Sequence, residues 1–293
     1  MLKKIIQNLL NKIFAYLHQY FPVGYWIAVG PSLNGAILEM WPRKKSPLDF
    51  RGTSVRLRSD GVIFPYMAAK SAWQVEDVGV ICRELRPNIM YLALDVGANI
   101  GLFSRQLLIA SSQVGRVFCF EPEEANFRML SHNLGSFDER IKLHNAAITD
   151  TTGKRELFID SDNVGNCSLS LTAMYASDHS SAIVQTVSAG DVEASILEAM
   201  GASRLIWKSD TQTCDLYIAS LFSMHFWGFV DVALLELWRI KGPDFNEGRF
   251  VEIADTFSRK FLVSCPSRYL SSAEILEFVH GNDGRIEDLC MVK

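Results

Sequence analysis

One stretch constrains the fold more than any other. Leu92-Ala93-Leu94-Asp95 is a short apolar run that ends in an acid. Val96-Gly97-Ala98-Asn99-Ile100-Gly101 is a glycine-bearing turn, and Leu102-Phe103-Ser104-Arg105-Gln106-Leu107-Leu108 reads as helix. Strand, tight turn and helix form the unit from which α/β folds build pockets for nucleotides. Gly97 and Gly101 permit backbone angles that a side chain disfavours. Taken alone, G-x-x-x-G fits an ordinary βα turn equally well, so the decision falls to the rest of the chain.

From Met90 onward, strand-like and helix-like pieces alternate, which predicts a mostly parallel sheet with helices on both faces. Candidate strands are 91–95, 116–120, 141–148, 205–208 and 230–237, each short and apolar as strands covered on both sides should be. Helices are expected after Gly101, Glu123 and Thr211, and an added strand at 154–159. Two apolar stretches within 249–263 are expected to close the sheet as antiparallel edges. Upstream, 42–47 reads as a loop, 75–85 as a helix, and 54–64 as a hairpin turning at Asp60-Gly61. The expected division is an N-terminal extension over 1–75 and a main domain over 76–293.

The start is a basic amphipathic helix. Leu2, Ile5, Ile6, Leu9, Leu10, Ile13, Phe14 and Leu17 recur at helical spacing, Lys3, Lys4 and Lys12 fill the other face, and Pro22 ends it. Residues 2–21 suit docking on the protein's own core, on a second copy in a homo-oligomer, or on an anionic membrane interface. No segment is apolar for long enough to span a bilayer. The expected location is cytoplasmic, with the inner face of the membrane as the peripheral alternative. The six cysteines are scattered without a C-x-x-C pair, which suits reduced thiols. A net charge of -4 argues against a general nucleic-acid binder. No cluster has metal-ligand spacing, so no metal is expected. Asn166-Cys167-Ser168 matches a glycosylation sequon, which is read as chance.

Two further spots carry chemistry. Val117-Phe118-Cys119-Phe120-Glu121-Pro122 ends a strand in an acid about one βα unit after the glycine turn. There a carboxylate can accept from both hydroxyls of a ribose, or it can be a surface acid at a helix start. The glycine turn upstream favours the ribose. Leu205-Ile206-Trp207-Lys208-Ser209-Asp210 runs from an apolar strand into a polar cluster. Lys208 and Asp210 are two residues apart and share a side of the strand, near the end that faces the ligand crevice. Asp210 also suits a helix N-cap.

With these three spots the chain resembles the FkbM family of class I S-adenosylmethionine-dependent methyltransferases. The matching pieces are 95–101, Phe120-Glu121-Pro122 with Asn126, Asn145-Ala146-Ala147, 166–169 and Lys208-Ser209-Asp210-Thr211-Gln212. They cover roughly residues 76 to 240. Such proteins usually carry glycine where this chain has Thr213. The resemblance implies a Rossmann-like, seven-stranded sheet with S-adenosylmethionine as cofactor. Asp95 would attract the methionine ammonium, Gly97, Asn99 and Gly101 would shape the wall, Glu121 would hold the ribose, and Asn145 and Ala146 would lie near the adenine. The acceptor it implies is a hydroxyl on a sugar, a glycan or another small molecule.

An alcohol needs a base as it attacks. Asp210 is the first candidate, and Glu236, near the end of the strand 232–236, is the second. Lys208 would orient an acidic substrate or pair with Asp210. His144, His179 and His225 are read as structural or surface groups. A rival reading, an NAD(P)-dependent oxidoreductase, is disfavoured because the turn lacks the G-x-G-x-x-G spacing that seats a pyrophosphate. A second rival, a non-catalytic scaffold of the same fold, is opposed by intact Asp95, Gly97, Asn99, Gly101 and Glu121.

Overall fold

The structure is a computed structural model. It describes residues 26–32, 35–42, 44–58, 62–70, 72–160, 163, 165–174 and 179–293. The amphipathic stretch 2–21 and the turn Asp60-Gly61 lie outside the described residues.

In chain order the elements begin with β1 (Trp26–Ser32), β2 (Gly35–Met40), β3 (Val55–Arg58), α1 (Ile63–Lys70) and α2 (Val75–Glu84). They continue with β4 (Tyr91–Val96), α3 (Leu102–Ala110), β5 (Val114–Phe120), α4 (Glu124–Leu134), β6 (Ile141–His144), β7 (Ala147–Thr149) and β8 (Gly153–Asp160). Then come β9 (Cys167–Ser168), β10 (His179–Ser188), α5 (Ala189–Met200), β11 (Arg204–Ser209), α6 (Asp215–Leu221), α7 (Met224–Phe229) and β12 (Val230–Trp238). The chain closes with α8 (Glu247–Asp255), β13 (Arg259–Leu262), α9 (Ser272–Val279) and β14 (Ile286–Val292).

The central sheet has seven strands in the order β13-β14-β12-β11-β4-β5-β6. Pairs from β12 through β6 are parallel, and only β14 runs against its neighbours. This is the expected α/β, mostly parallel, Rossmann-like sheet. The chain leaves β4 toward β5 and β6 on one side and returns to β11 and β12 on the other. That reversal opens a crevice at the carboxyl ends of β4 and β11.

Alternation along each strand sorts the core into two layers. Leu92, Leu94, Phe118, Phe120, Leu205 and Trp207 pack under α5, α6, α7 and α8. Tyr91, Ala93, Val117, Cys119, Ile206 and Val232 pack under α2, α3 and α4. Trp207 is fully buried against Phe222 and Trp227, with ring centroids 5.0 and 4.9 Å away. At the amino ends of the strands, buried Asp231 accepts from Arg204 Nη2 at 2.7 Å and Tyr91 Oη at 3.2 Å, and also pairs with Arg86. Buried Arg105 fastens the preceding segment to α4, donating to the carbonyls of Leu48 at 2.9 Å, Thr53 at 3.0 Å and Asn133 at 2.7 Å.

Several elements differ from expectation. The stretch 54–64 is not a hairpin: Val55–Arg58 pairs with β2, and Ile63 opens a helix that buries Ile63 and Met67. The stretch 141–148 breaks at Asn145-Ala146, so β6 joins the main sheet and β7 joins a separate one in the order β7-β10-β8-β9. Within 249–263 the first half is α8, because Phe250, Ile253 and Ala254 bury at helical spacing. Only β13 becomes an edge strand there, and β14 supplies the antiparallel partner. All six cysteines are free. No helix among the described residues is long and apolar enough to cross a membrane.

Candidate functional site

A cavity of about 260 Å³ opens at the carboxyl ends of β4, β5 and β11. Its wall includes Gly97, Asn99, Glu121, Ala146, Lys208, Asp210 and Glu236. Sequence reasoning had selected each of these. Asp95, Gly101 and Asn145 are not at the wall, and the structure gives them supporting places.

The turn after β4 is locked to its neighbours. Gly97 and Ala98 both donate to the carbonyl of Phe120 at 2.9 Å, and Asp210 donates its N–H to Val96 at 3.0 Å. Gly97 has φ 74°, and a Cβ there would stand 2.0 Å from the Asp210 carbonyl oxygen. The turns after β4 and β11 therefore touch only because this residue has no side chain. Gly101, at φ 82°, starts α3 over Leu130 and Leu134 rather than facing the cavity.

Asp95 is 1% exposed and turned inward. Its Oδ1 lies 3.0 Å from Lys208 Nζ, and Oδ2 accepts from Ser104 Oγ at 2.5 Å. The structure places its charge against Lys208, behind the wall of the cavity. Lys208 is 4% exposed, sits 3.8 Å from Asp210, and donates to the Gly97 carbonyl at 3.2 Å. Burial opposes its charge, but Asp95 and Asp210 outweigh burial and hold it above the ordinary lysine value. It stays protonated and serves as the cation at the centre of the crevice.

Glu121 ends β5 at the wall, 4% exposed. Its two oxygens accept the N–H of Asn99 at 2.9 Å and of Glu123 at 2.8 Å. Each oxygen keeps a further lone pair for a ligand. Burial pushes this carboxyl up to about 8. Asn145 braces the same strand end, donating to the carbonyls of Glu121 at 2.9 Å and Pro122 at 3.2 Å. Asn99, at φ 49°, places a buried Oδ1 at the cavity that meets no donor among the described residues.

Asp210 accepts from Gln212 Nε2 at 2.7 Å and Gln74 Nε2 at 3.2 Å. Glu236 accepts from Trp238 Nε1 at 2.6 Å. Burial, with Asp210 and Asp215 nearby, raises Glu236 well above the carboxylate range, so at neutral pH it holds its proton. His144 stacks on Phe120 at 4.4 Å, in a structural place. Asn166 is 1% exposed and donates to Asp160 Oδ2 at 3.2 Å, so its amide is part of the fold rather than an open sequon.

Sequence reasoning missed Trp73 and Gln74, which complete the wall from the approach to α2. Their only signal was position, just before an apolar helix.

The turn after Asp210 carries Gln212 at φ 52° and Thr213 at φ 81°. Glycine at the second position would adopt this angle freely. A left-handed residue with a Cβ costs about 1–2 kcal/mol, of which glycine's extra unfolded-state entropy returns part. Thr213→Gly is therefore expected to raise the urea-unfolding free energy by about 1 kcal/mol. A loss of stability instead would mean that the threonine side chain supports the turn.

The site also predicts a pH dependence. In the folded chain Glu121 and Asp288 sit at about 8, against ordinary values of 4.5 and 3.8, both chiefly through burial. Between pH 6.5 and 8 the folded state holds protons that the unfolded state has released, so stability falls as pH rises. Burial also lowers His132 and His144, which acts in the opposite sense, but mostly below their ordinary 6.5. Each raised carboxyl contributes at most about 1.4 kcal/mol per pH unit. Thermal melts should give a lower Tm at pH 8 than at pH 6.5, and a higher one would contradict the burial of these acids.

No family model and no curated protein matches the chain. Among solved structures it is similar to the methyltransferase FkbM from Methylobacillus flagellatus KT, at 12% identity over 76% of this chain and 48% of that one, TM-score 0.41. It thus spans about half of that protein's length. It is also similar to geranyl diphosphate C-methyltransferase from Streptomyces coelicolor A3(2), at 10% identity over 77% of each chain, TM-score 0.38. A third is precorrin-6y C5,15-methyltransferase from Geobacter metallireducens GS-15, at 10% identity over 74% of this chain and 89% of that one, TM-score 0.35.

Proposed function

We propose that this chain is an S-adenosylmethionine-dependent methyltransferase that acts on a hydroxyl of a sugar, a glycan or another small hydroxylated metabolite. The observation that carries the reading is Glu121: a buried carboxyl at the end of β5, organised by two backbone N–H groups and still able to accept at the cavity wall. The cavity fits such a cofactor in a second respect, because the orphaned Asn99 Oδ1 asks for a donor there. When bound, the cofactor supplies a methyl already activated on a sulfonium.

The protein's share is alignment and proton removal. Glu121 would take both ribose hydroxyls, and Ala146 with Phe120 and Ile148 would offer an apolar wall to the base. Asp210 would accept the hydroxyl proton while Gln74, Gln212 and Lys208 hold it in place. Residues 76–293 are assigned to this domain and 1–75 to an extension.

The test is transfer of labelled methyl from S-adenosylmethionine to cell extracts, with the product identified. Label on an oxygen is expected, and Asp210→Asn should slow its appearance by about 10²-fold or more. Label on nitrogen or carbon only would contradict the hydroxyl acceptor, and no label in any extract would count against the reading as a whole.

A further inference from the structure

A second cavity, of about 430 Å³, adjoins the first and shares Val62, Trp73, Gln74 and Ile286 with it. Four carboxylates line it, Glu76, Asp77, Glu287 and Asp288, and no lysine or arginine does. An acidic wall alone says little, but Asp77 adds something specific. It is 5% exposed, lines the cavity, and neither accepts a hydrogen bond nor forms an ion pair among the described residues. Its oxygens are not sealed in the core but open onto the cavity, where an entering cation would meet them. Beside it Tyr66 and Trp73 meet edge to face, ring centroids 5.3 Å apart, and offer aromatic faces to a cation.

These carboxylates do not form a metal site, since no group of three among the described residues is placed to hold an ion. The cation they suit is organic. Gln74 joins the two cavities, because it lines both and donates to Asp210. We infer that the second cavity anchors the acceptor and that the acceptor carries a protonated amine, as amino sugars and amino alcohols do. That identity as acceptor rests on the methyltransferase reading above; the preference for a cation does not. Burial, then Asp77 and Asp210, pushes Asp288 up to about 8, against the pull of Lys208.

The experiment is isothermal titration of the full chain with glucosamine against N-acetylglucosamine, and with ethanolamine against ethylene glycol. In each pair the amine should bind about tenfold tighter or more, the effect of one charge-assisted contact. The preference should vanish in Asp77→Asn and Asp288→Asn and weaken in high salt. Equal affinities within both pairs, a preference that survives both substitutions, or binding of calcium chloride in place of the amines would overturn the inference. S-adenosylhomocysteine titrated into the same protein reports separately. If it fails to bind while the amine preference holds, the cofactor reading falls and the cation cavity stands.

Discussion

Lys208→Met is expected to lower the unfolding free energy by about 3–5 kcal/mol, the cost of stranding a buried charge. Lys208 lies directly across from Asp95 in the β11–β4 register, and both are nearly inaccessible to water. Methionine matches the length of the stem but leaves Asp95 with only Ser104 Oγ, and Asp210 without its cation. The two turns that meet at Gly97 would also lose the bond from Nζ to its carbonyl. Urea denaturation measures the loss. A double variant, Lys208→Met with Asp95→Leu, should recover most of it, because replacing a buried pair by apolar groups is often close to neutral. A single variant as stable as the parent would show that the pair does not hold the crevice together.

Glu121→Ala should weaken binding of S-adenosylhomocysteine by about tenfold or more. Two net hydrogen bonds are worth about 0.5–1.5 kcal/mol each, and about 1.4 kcal/mol is tenfold in affinity. The substitution also frees the N–H groups of Asn99 and Glu123, which Glu121 now holds. Circular dichroism and a melt separate lost binding from lost folding. Unchanged affinity in a folded variant would refute the ribose assignment.

The sheet was legible in the sequence because its parallel strands are covered on both faces and so read as apolar runs. Tyr91–Val96 and Arg204–Ser209 are within a residue or two of the stretches that periodicity marked. The site was legible for the same reason: its residues end those strands, so strand ends announce them. What failed was a matter of partners. Val55–Arg58 alternates as a hairpin arm should, but its partner is β2, and nothing local says so. Asp95 looked like a ligand residue because it precedes the glycine turn. The register also sets Lys208 opposite it, a partner that no local signal announces. The second cavity is assembled from the approach to α2, from Val263-Ser264 after β13 and from β14, segments nearly 200 residues apart, and no spacing rule joins them.

The central claim is that the crevice between β4 and β11, with Glu121 at its edge, takes a sulfonium nucleoside. Isothermal titration of the unmodified chain with S-adenosylhomocysteine and, separately, with NAD tests it most directly. The account predicts saturable, one-to-one binding of S-adenosylhomocysteine and none of NAD. Binding of NAD with no response to S-adenosylhomocysteine would contradict it.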